Sequence, residues 1–196
     1  MESKGKKTGL YFGSFNPVHV GHLAIASFMV EFSDISELWF VVSPHNPLKE
    51  KRSLLEDHHR LEMVRLAIGD DYRLRASDIE FYLPTPSYTI DTLTYLEEKF
   101  PAREFQIIMG ADGLRTFHKW KNAALIAKRY HRLIYPRPGV SEEMALSAPN
   151  ATLVRAPLME ISSSFIRQAI KEKREVRHFV PDPAYRYMRE MQFYER

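Results

Sequence analysis

Cysteine is absent from the 196 residues, which excludes disulfide scaffolds, thiol catalysis and cysteine-ligated zinc. A strong excess of one charge is also lacking. The 28 Lys and Arg against 25 Asp and Glu leave a net charge of +3, too slight a bias for a nucleic-acid polymer as the main partner. Long hydrophobic runs are missing too: Leu38-Trp39-Phe40-Val41-Val42 falls far short of the ~20 residues that cross a bilayer. The basic start Met1 to Lys7 precedes no signal-peptide core, so a cytoplasmic protein without a membrane partner is expected. Neither an internal repeat nor a low-complexity tract is present. With 44% apolar and 27% charged residues, the chain has the composition of a globular protein, and its length suits a single domain over 1–196.

Apolar periodicity supplies the elements. Thr8 to Phe12 reads as a short buried strand that stops at Gly13; a turn through Asn16-Pro17 and a helical pattern from about Val20 to Phe32 follow. Glu37 to Ser43 suits a strand buried on both faces. Ser53-Leu54-Leu55-Glu56 has the form of a capping box, with Leu61, Val64 and Ile68 at helical spacing behind it. Extended stretches are expected at Tyr72 to Leu74 and Asp78 to Tyr82, then a helix from Ile90 to Phe100 and a strand from Phe105 to Met109. A helix over about 119–128 precedes extended segments at Arg132 to Tyr135 and Thr152 to Val154. Pro136 to Pro149, with a short helix at Glu142 to Leu146, reads as the softest linker.

This alternation predicts an α/β protein: a Rossmann-like doubly wound parallel sheet with right-handed crossovers. Helices over about 163–173 and 183–192 then form a small C-terminal helical appendage from about 161, too short to fold alone.

Chemistry concentrates in two segments. Gly13-Ser14-Phe15-Asn16-Pro17-Val18-His19-Val20-Gly21-His22 joins the first strand to the first helix. In such a sheet, ligands bind beyond the carboxyl ends of the strands, where the N–H groups of a helix start attract anions, phosphate above all. Gly13 lets backbone approach a ligand, Gly21 lets the helix pass close to a bulky base, and His19 and His22 share one face of the first turn. Zinc is disfavoured there for want of further ligands, so no metal-ligating residue is assigned. The second segment, Ile161-Ser162-Ser163-Ser164-Phe165-Ile166-Arg167, starts a helix whose serines cap it and whose Arg167 returns over the same end, making a second phosphate cradle. Lone histidines and a lone serine cap would usually be structural; the pair of segments reverses that reading.

GSFNPVHVGH and ISSSFIR resemble the paired motifs of the nucleotidyltransferase superfamily. PSYTIDTL at 86–93, IMGADGLRTFHKW at 108–120, YPRPG at 135–139 and VRHFVPDPAYRYM at 176–188 are similar to bacterial nicotinate-nucleotide adenylyltransferases, so the resemblance covers nearly the whole chain. It implies transfer of AMP from ATP to nicotinate mononucleotide, giving deamido-NAD and pyrophosphate in NAD biosynthesis. Mg2+ would accompany the ATP phosphates, and no covalent enzyme intermediate would form.

By the same resemblance, His19, His22, Lys49 and Arg167 are the catalytic residues, Lys49 as the basic residue after the second strand whose ammonium neutralises phosphate charge. The nucleotide would be bound by Gly13, Ser14, Phe15, Gly21, Gly110, Asp112 (ribose), Arg137 and Ser162 to Ser164. The mononucleotide would meet Tyr88, Thr89, Trp120 (stacking on the pyridine) and Lys121. Phe81 to Pro86 departs from the family pattern, where Arg and Gly are common. His58, His59, His118, His131 and His178 are assigned surface or packing roles. The rival readings are an adenylyltransferase for nicotinamide mononucleotide or another phosphate acceptor, and a non-catalytic nucleotide sensor; the chain is compatible with a homo-oligomer.

Overall fold

The computed structural model describes residues 5–44 and 54–195. Along the chain run β1 (Lys6–Gly13), α1 (Val20–Phe32), β2 (Glu37–Val42), α2 (Asp57–Ile68), β3 (Leu74–Ser77), α3 (Thr89–Lys99), β4 (Arg103–Gly110) and α4 (Ala111–Phe117). They continue with α5 (Ala123–Arg129), β5 (Arg132–Tyr135), α6 (Glu142–Leu146), β6 (Ala151–Leu153), α7 (Ser163–Lys171) and α8 (Asp182–Glu190). The strands form one parallel sheet in the order β3-β2-β1-β4-β5-β6. This is the expected Rossmann-like arrangement, in which the chain winds outward from β1, then returns to its other side at β4 and opens a crevice between the two strand ends.

Strand alternation divides the interior. Leu38, Phe40 and Val42 of β2 join Tyr11 and Ile108 on one face, under α1, α2, α7 and α8. Leu10, Trp39, Val41 and Ile107 face the other way, against Ile90, Leu93 and Leu96 of α3 and Ile126 of α5. Every residue of β2 is buried, as its unbroken apolar run requires. Ile166, Ala169, Ile170, Ala184 and Met188 belong to the same cluster as the sheet, so the C-terminal helices share the central core rather than a core of their own. Among the described residues, no helix is long and apolar enough to cross a membrane.

Four expectations need correction. Asp78 to Tyr82 is a 3-10 turn over Ile79–Tyr82, not a strand, because Glu80 turns inward to two hydroxyl donors and the Phe81 N–H bonds to the Asp78 carbonyl. The helix expected over about 119–128 is α5 alone, which starts only at Ala123 because Asn122 takes a left-handed φ of 55° at its N-cap, and a separate helix, α4, was not expected over Ala111–Phe117. The segment Pro136 to Pro149 is no slack linker: Ala145 of α6 is buried against Met109, Ala111 and Ile134. Finally, α2 begins at Asp57 with Glu56 as its N-cap, so Glu56 is not the third helical residue a box at Ser53 needs; Ser53 lies outside the described residues.

Candidate active site

The loop from β1 to α1 is held from below. The Phe15 ring is buried and meets Tyr11, His22 and Phe40 edge to face at centroid distances of 5.7, 5.1 and 5.3 Å. Phe15 therefore acts as a floor, and only its backbone can face a nucleotide. His19 is the N-cap of α1, and the His19 and His22 rings stack at 3.7 Å. The His19 main-chain N–H donates to His22 Nδ1 at 3.2 Å, which leaves the neutral His22 ring with its proton on Nε2. A Cβ on Gly21 would lie 3.1 Å from two atoms of the His19 ring. The small residue therefore clears the His19 ring, and Gly21 lines the cleft beside it.

His19 is 5% exposed, and its ring Nδ1 has no hydrogen-bond partner among the described residues. Burial first, then the Arg137 charge, push its pKa down from 6.5 to about 4. The sign follows: the unfolded chain binds a proton near 6.5 and the folded chain does not, so this contribution is whole above 6.5 and is lost as pH falls toward 4. Stability is expected to fall by roughly 3 kcal/mol across that window from this group. His19→Gln should remove that share of the slope in denaturant unfolding measured at several pH values; an unchanged slope would contradict the assignment.

The second phosphate motif meets the first. Ser162 caps α7, its Oγ accepting the Phe165 N–H at 3.1 Å, and leaves the Ser163 and Ser164 N–H groups at the helix start. Ser163 Oγ donates to the Pro17 carbonyl at 2.9 Å and Arg167 Nη1 to the Asn16 carbonyl at 2.7 Å. Arg167 Nη2 also reaches Ser164 Oγ at 3.4 Å. Gly13, Ser14, His19, Gly21, His22, Asp112, Arg137, Ser162 to Ser164 and Arg167 all line one lobe of about 470 Å³.

The other predicted residues line an adjoining lobe of about 670 Å³, which includes Tyr88, Thr89, Gly110, Trp120 and Lys121. Tyr11, Phe12, Gly13, Ser14, Asp112 and Tyr135 line both lobes, at the ends of β1, β4 and β5. Buried Tyr11 and Tyr135 share a hydroxyl contact of 3.2 Å, and burial lifts both phenols. Trp120 is half-buried against Phe117, at 5.3 Å. The Lys121 ammonium pairs with Asp91 at 2.9 Å and sits 4.7 Å from the Tyr88 ring centre. Gly110 is needed because a Cβ would strike the Asp112 carboxylate and lie 3.0 Å from Arg137 Cγ; those two side chains form an ion pair at 3.6 Å. Lys49 lies outside the described residues.

The cytidylyltransferase-like family profile matches residues 10–169. A Christiangramia forsetii protein named "probable nicotinate-nucleotide adenylyltransferase" is 49% identical over 193 residues, spanning 97% of this chain and 99% of its own. A Flavobacterium johnsoniae protein of the same name is 47% identical, spanning 97% of this chain and all of its own length. The chain belongs to the nicotinate-nucleotide adenylyltransferase family. Its fold also matches the Plasmodium falciparum nicotinic acid mononucleotide adenylyltransferase complexed with NaAD, with a TM-score of 0.83, 21% identity and coverage of 97% of this chain and 98% of that one.

Family motifs did not announce three residues of this site. Arg60 is fully buried; its guanidinium donates to the carbonyls of Leu55, Ser14, Ser43 and Pro44, at 2.8, 2.7, 2.9 and 3.3 Å, and pairs with Asp57 at 2.5 Å. A charged residue beside Leu61, Met63 and Val64 on the buried stripe of α2 is the signal that could have found it. Glu80, also buried, accepts from Ser87 Oγ at 3.0 Å and Thr92 Oγ1 at 2.8 Å, fixing the start of the loop that carries Tyr88 and Thr89; burial pushes its carboxyl up against those bonds. Asn16, read only as a turn residue, is 4% exposed and bonded on several sides. Outside both lobes, the ligand atoms of Glu56, His58 and His59 lie within 4.8 Å of one another at the start of α2, and His59 Nδ1 contacts the Tyr187 hydroxyl at 2.8 Å.

Proposed function

We propose that this family member transfers AMP from ATP to nicotinate mononucleotide, giving deamido-NAD and pyrophosphate in NAD synthesis. The observation that carries the reading is the meeting of the His19/His22 turn with the start of α7 in one lobe, joined through Asp112 to a second lobe walled by Tyr88 and Trp120. In this reading the triphosphate lies in the first lobe. The His22 Nε2–H, the Ser163 and Ser164 N–H groups and the Arg167 guanidinium face its oxygens, with the His19 ring lining the same lobe. Arg137, which lines the same lobe, adds charge. Lys49 is proposed to neutralise phosphate charge as well.

The mononucleotide phosphate oxygen attacks the α-phosphorus in line. A new P–O bond forms, the bond to the β-phosphate oxygen breaks, and the electron pair leaves with pyrophosphate. No side chain is adenylylated; the work is alignment and stabilisation of charge on the equatorial and leaving oxygens. Magnesium offsets part of that charge when bound with ATP. Asp112 is the one carboxylate among the described residues lining the phosphate lobe, and it is engaged with Arg137, a donor set that suits an ion carried by phosphates rather than caged by protein. Asp112 is also placed to meet ribose hydroxyls, being common to both lobes. The pyridine stacks on Trp120. Because the Lys121 ammonium is taken by Asp91, recognition of the nicotinate carboxylate falls to main-chain N–H groups near Thr89 and Lys121.

Pure protein given ATP, magnesium and nicotinate mononucleotide should release pyrophosphate and form the dinucleotide; no release contradicts the proposal. Turnover of the acid should exceed that of the amide, because N–H donors built for a carboxylate lose part of their partner in the neutral analogue. Trp120→Ala is expected to raise KM for the mononucleotide by about tenfold, the scale of one lost stacking contact, and to leave KM for ATP within twofold. An unchanged mononucleotide KM would remove the stacking role.

A further inference from the structure

Asn16 sits where separate parts of the chain meet. Its Oδ1 accepts the Leu55 N–H at 3.2 Å, just ahead of α2, and the Tyr194 hydroxyl at 2.7 Å, from the last turn of the described chain. Its main-chain carbonyl accepts Arg167 Nη1, and the next carbonyl, of Pro17, accepts Ser163 Oγ. The Leu55 N–H can only donate, so the carboxamide must present oxygen there, and Tyr194 must donate to that same oxygen.

The C-terminal turn is built to deliver the phenol. After α8, the Gln192 N–H bonds to the Arg189 carbonyl and the Phe193 N–H to the Met188 carbonyl, each at 3.1 Å, the two bonds of a Schellman cap. Gln192 holds the left-handed position of that cap at φ 54°, where glycine is usual, and Tyr194 follows at φ 67°. Phe193 locks the turn against Tyr187 and His59, at centroid distances of 5.7 and 4.7 Å. Left-handed side-chain residues persist where their surroundings over-determine them.

We propose that Tyr194 is a positioning residue for the polyphosphate site, acting through Asn16: its hydroxyl fixes the carboxamide, and with it the carbonyls that register Arg167 and Ser163 against the His19/His22 turn. The inference rests on the proposed adenylyl transfer for its kinetic consequence but not for its structural one. Tyr194→Phe removes one oxygen and keeps the ring. The variant should raise KM for ATP about 5- to 10-fold, the scale of a lost buried hydrogen bond, with KM for the mononucleotide within twofold. Loss of packing alone would lower the active fraction and leave both KM values unchanged.

Two further readouts need no acceptor substrate: calorimetric ATP affinity, expected to weaken by the same factor, and hydrogen exchange at the Leu55 amide, expected to quicken while the amides of β1 and β4 stay protected. A wild-type protein that releases no pyrophosphate refutes the functional reading and leaves these two readouts to decide this one. Unchanged Leu55 exchange, or ATP affinity equal to wild type in Tyr194→Phe, overturns the proposal.

Discussion

Replacing His22 with alanine is expected to lower kcat/KM for ATP by at least ~10²-fold, and His19→Ala by a similar factor, with both variants folded at pH 7.5. The scale is that of one donor removed from developing charge in a site shielded from water. His22 presents its Nε2–H because Nδ1 is committed to the His19 N–H, and His19 lies almost out of solvent, where an interaction with phosphate is screened little. The neutral His19 also bears on ATP binding. A polyanion beside an imidazole pushed down to about 4 must raise its proton affinity, so ATP binding near pH 6 should take up protons. Turnover within threefold of wild type in both alanine variants would remove the histidines from the reaction.

The second large effect concerns stability. Arg60→Met is expected to cost about 3–5 kcal/mol, the range seen when a buried charged partner is removed, lowering Tm by on the order of 10 °C. The guanidinium binds the carbonyls that end β1 and β2 and those just before α2, so methionine fills part of the space and leaves Leu55, Ser14, Ser43 and Pro44 without that donor. Arg60→Lys keeps the charge but not the planar fork and should fall between the two. A loss below 1 kcal/mol for the methionine variant in denaturant unfolding would show that water replaces the guanidinium at little cost. Ser14 lines both lobes of the cleft, so activity should be lost along with stability.

Most of the fold was legible wherever local signals agreed. The apolar spacing between Val20 and Phe32 marks α1 to the residue, the run Leu38 to Val42 marks a doubly buried strand, and the serines before Phe165 mark the start of α7. The reading failed where a distant partner decides local structure. Glu80 turns Ile79–Tyr82 away from the sheet because Thr92, 12 residues on, binds its carboxylate. The late start of α5 follows one left-handed asparagine, Asn122, that no periodicity reveals.

The candidate site divides in the same way. His19, His22, Ser162 to Ser164 and Arg167 were visible as spaced motifs, and the structure brings them together. Asn16, Arg60 and Glu80 were not. Their roles are hydrogen bonds to main-chain carbonyls and to hydroxyls far along the chain, the longest between Asn16 and Tyr194 across 178 residues. Gly21 was visible too, but the crowding of its Cα by the His19 ring was not.

The central claim is that two helix starts, α1 and α7, grip one triphosphate. A crystal structure with a non-hydrolysable ATP analogue tests it most directly. The triphosphate should lie between the His19/His22 pair and the Ser163, Ser164 and Arg167 end of α7, with the adenosine reaching Asp112. Density for the triphosphate outside that lobe, contacting neither helix start, would contradict the account.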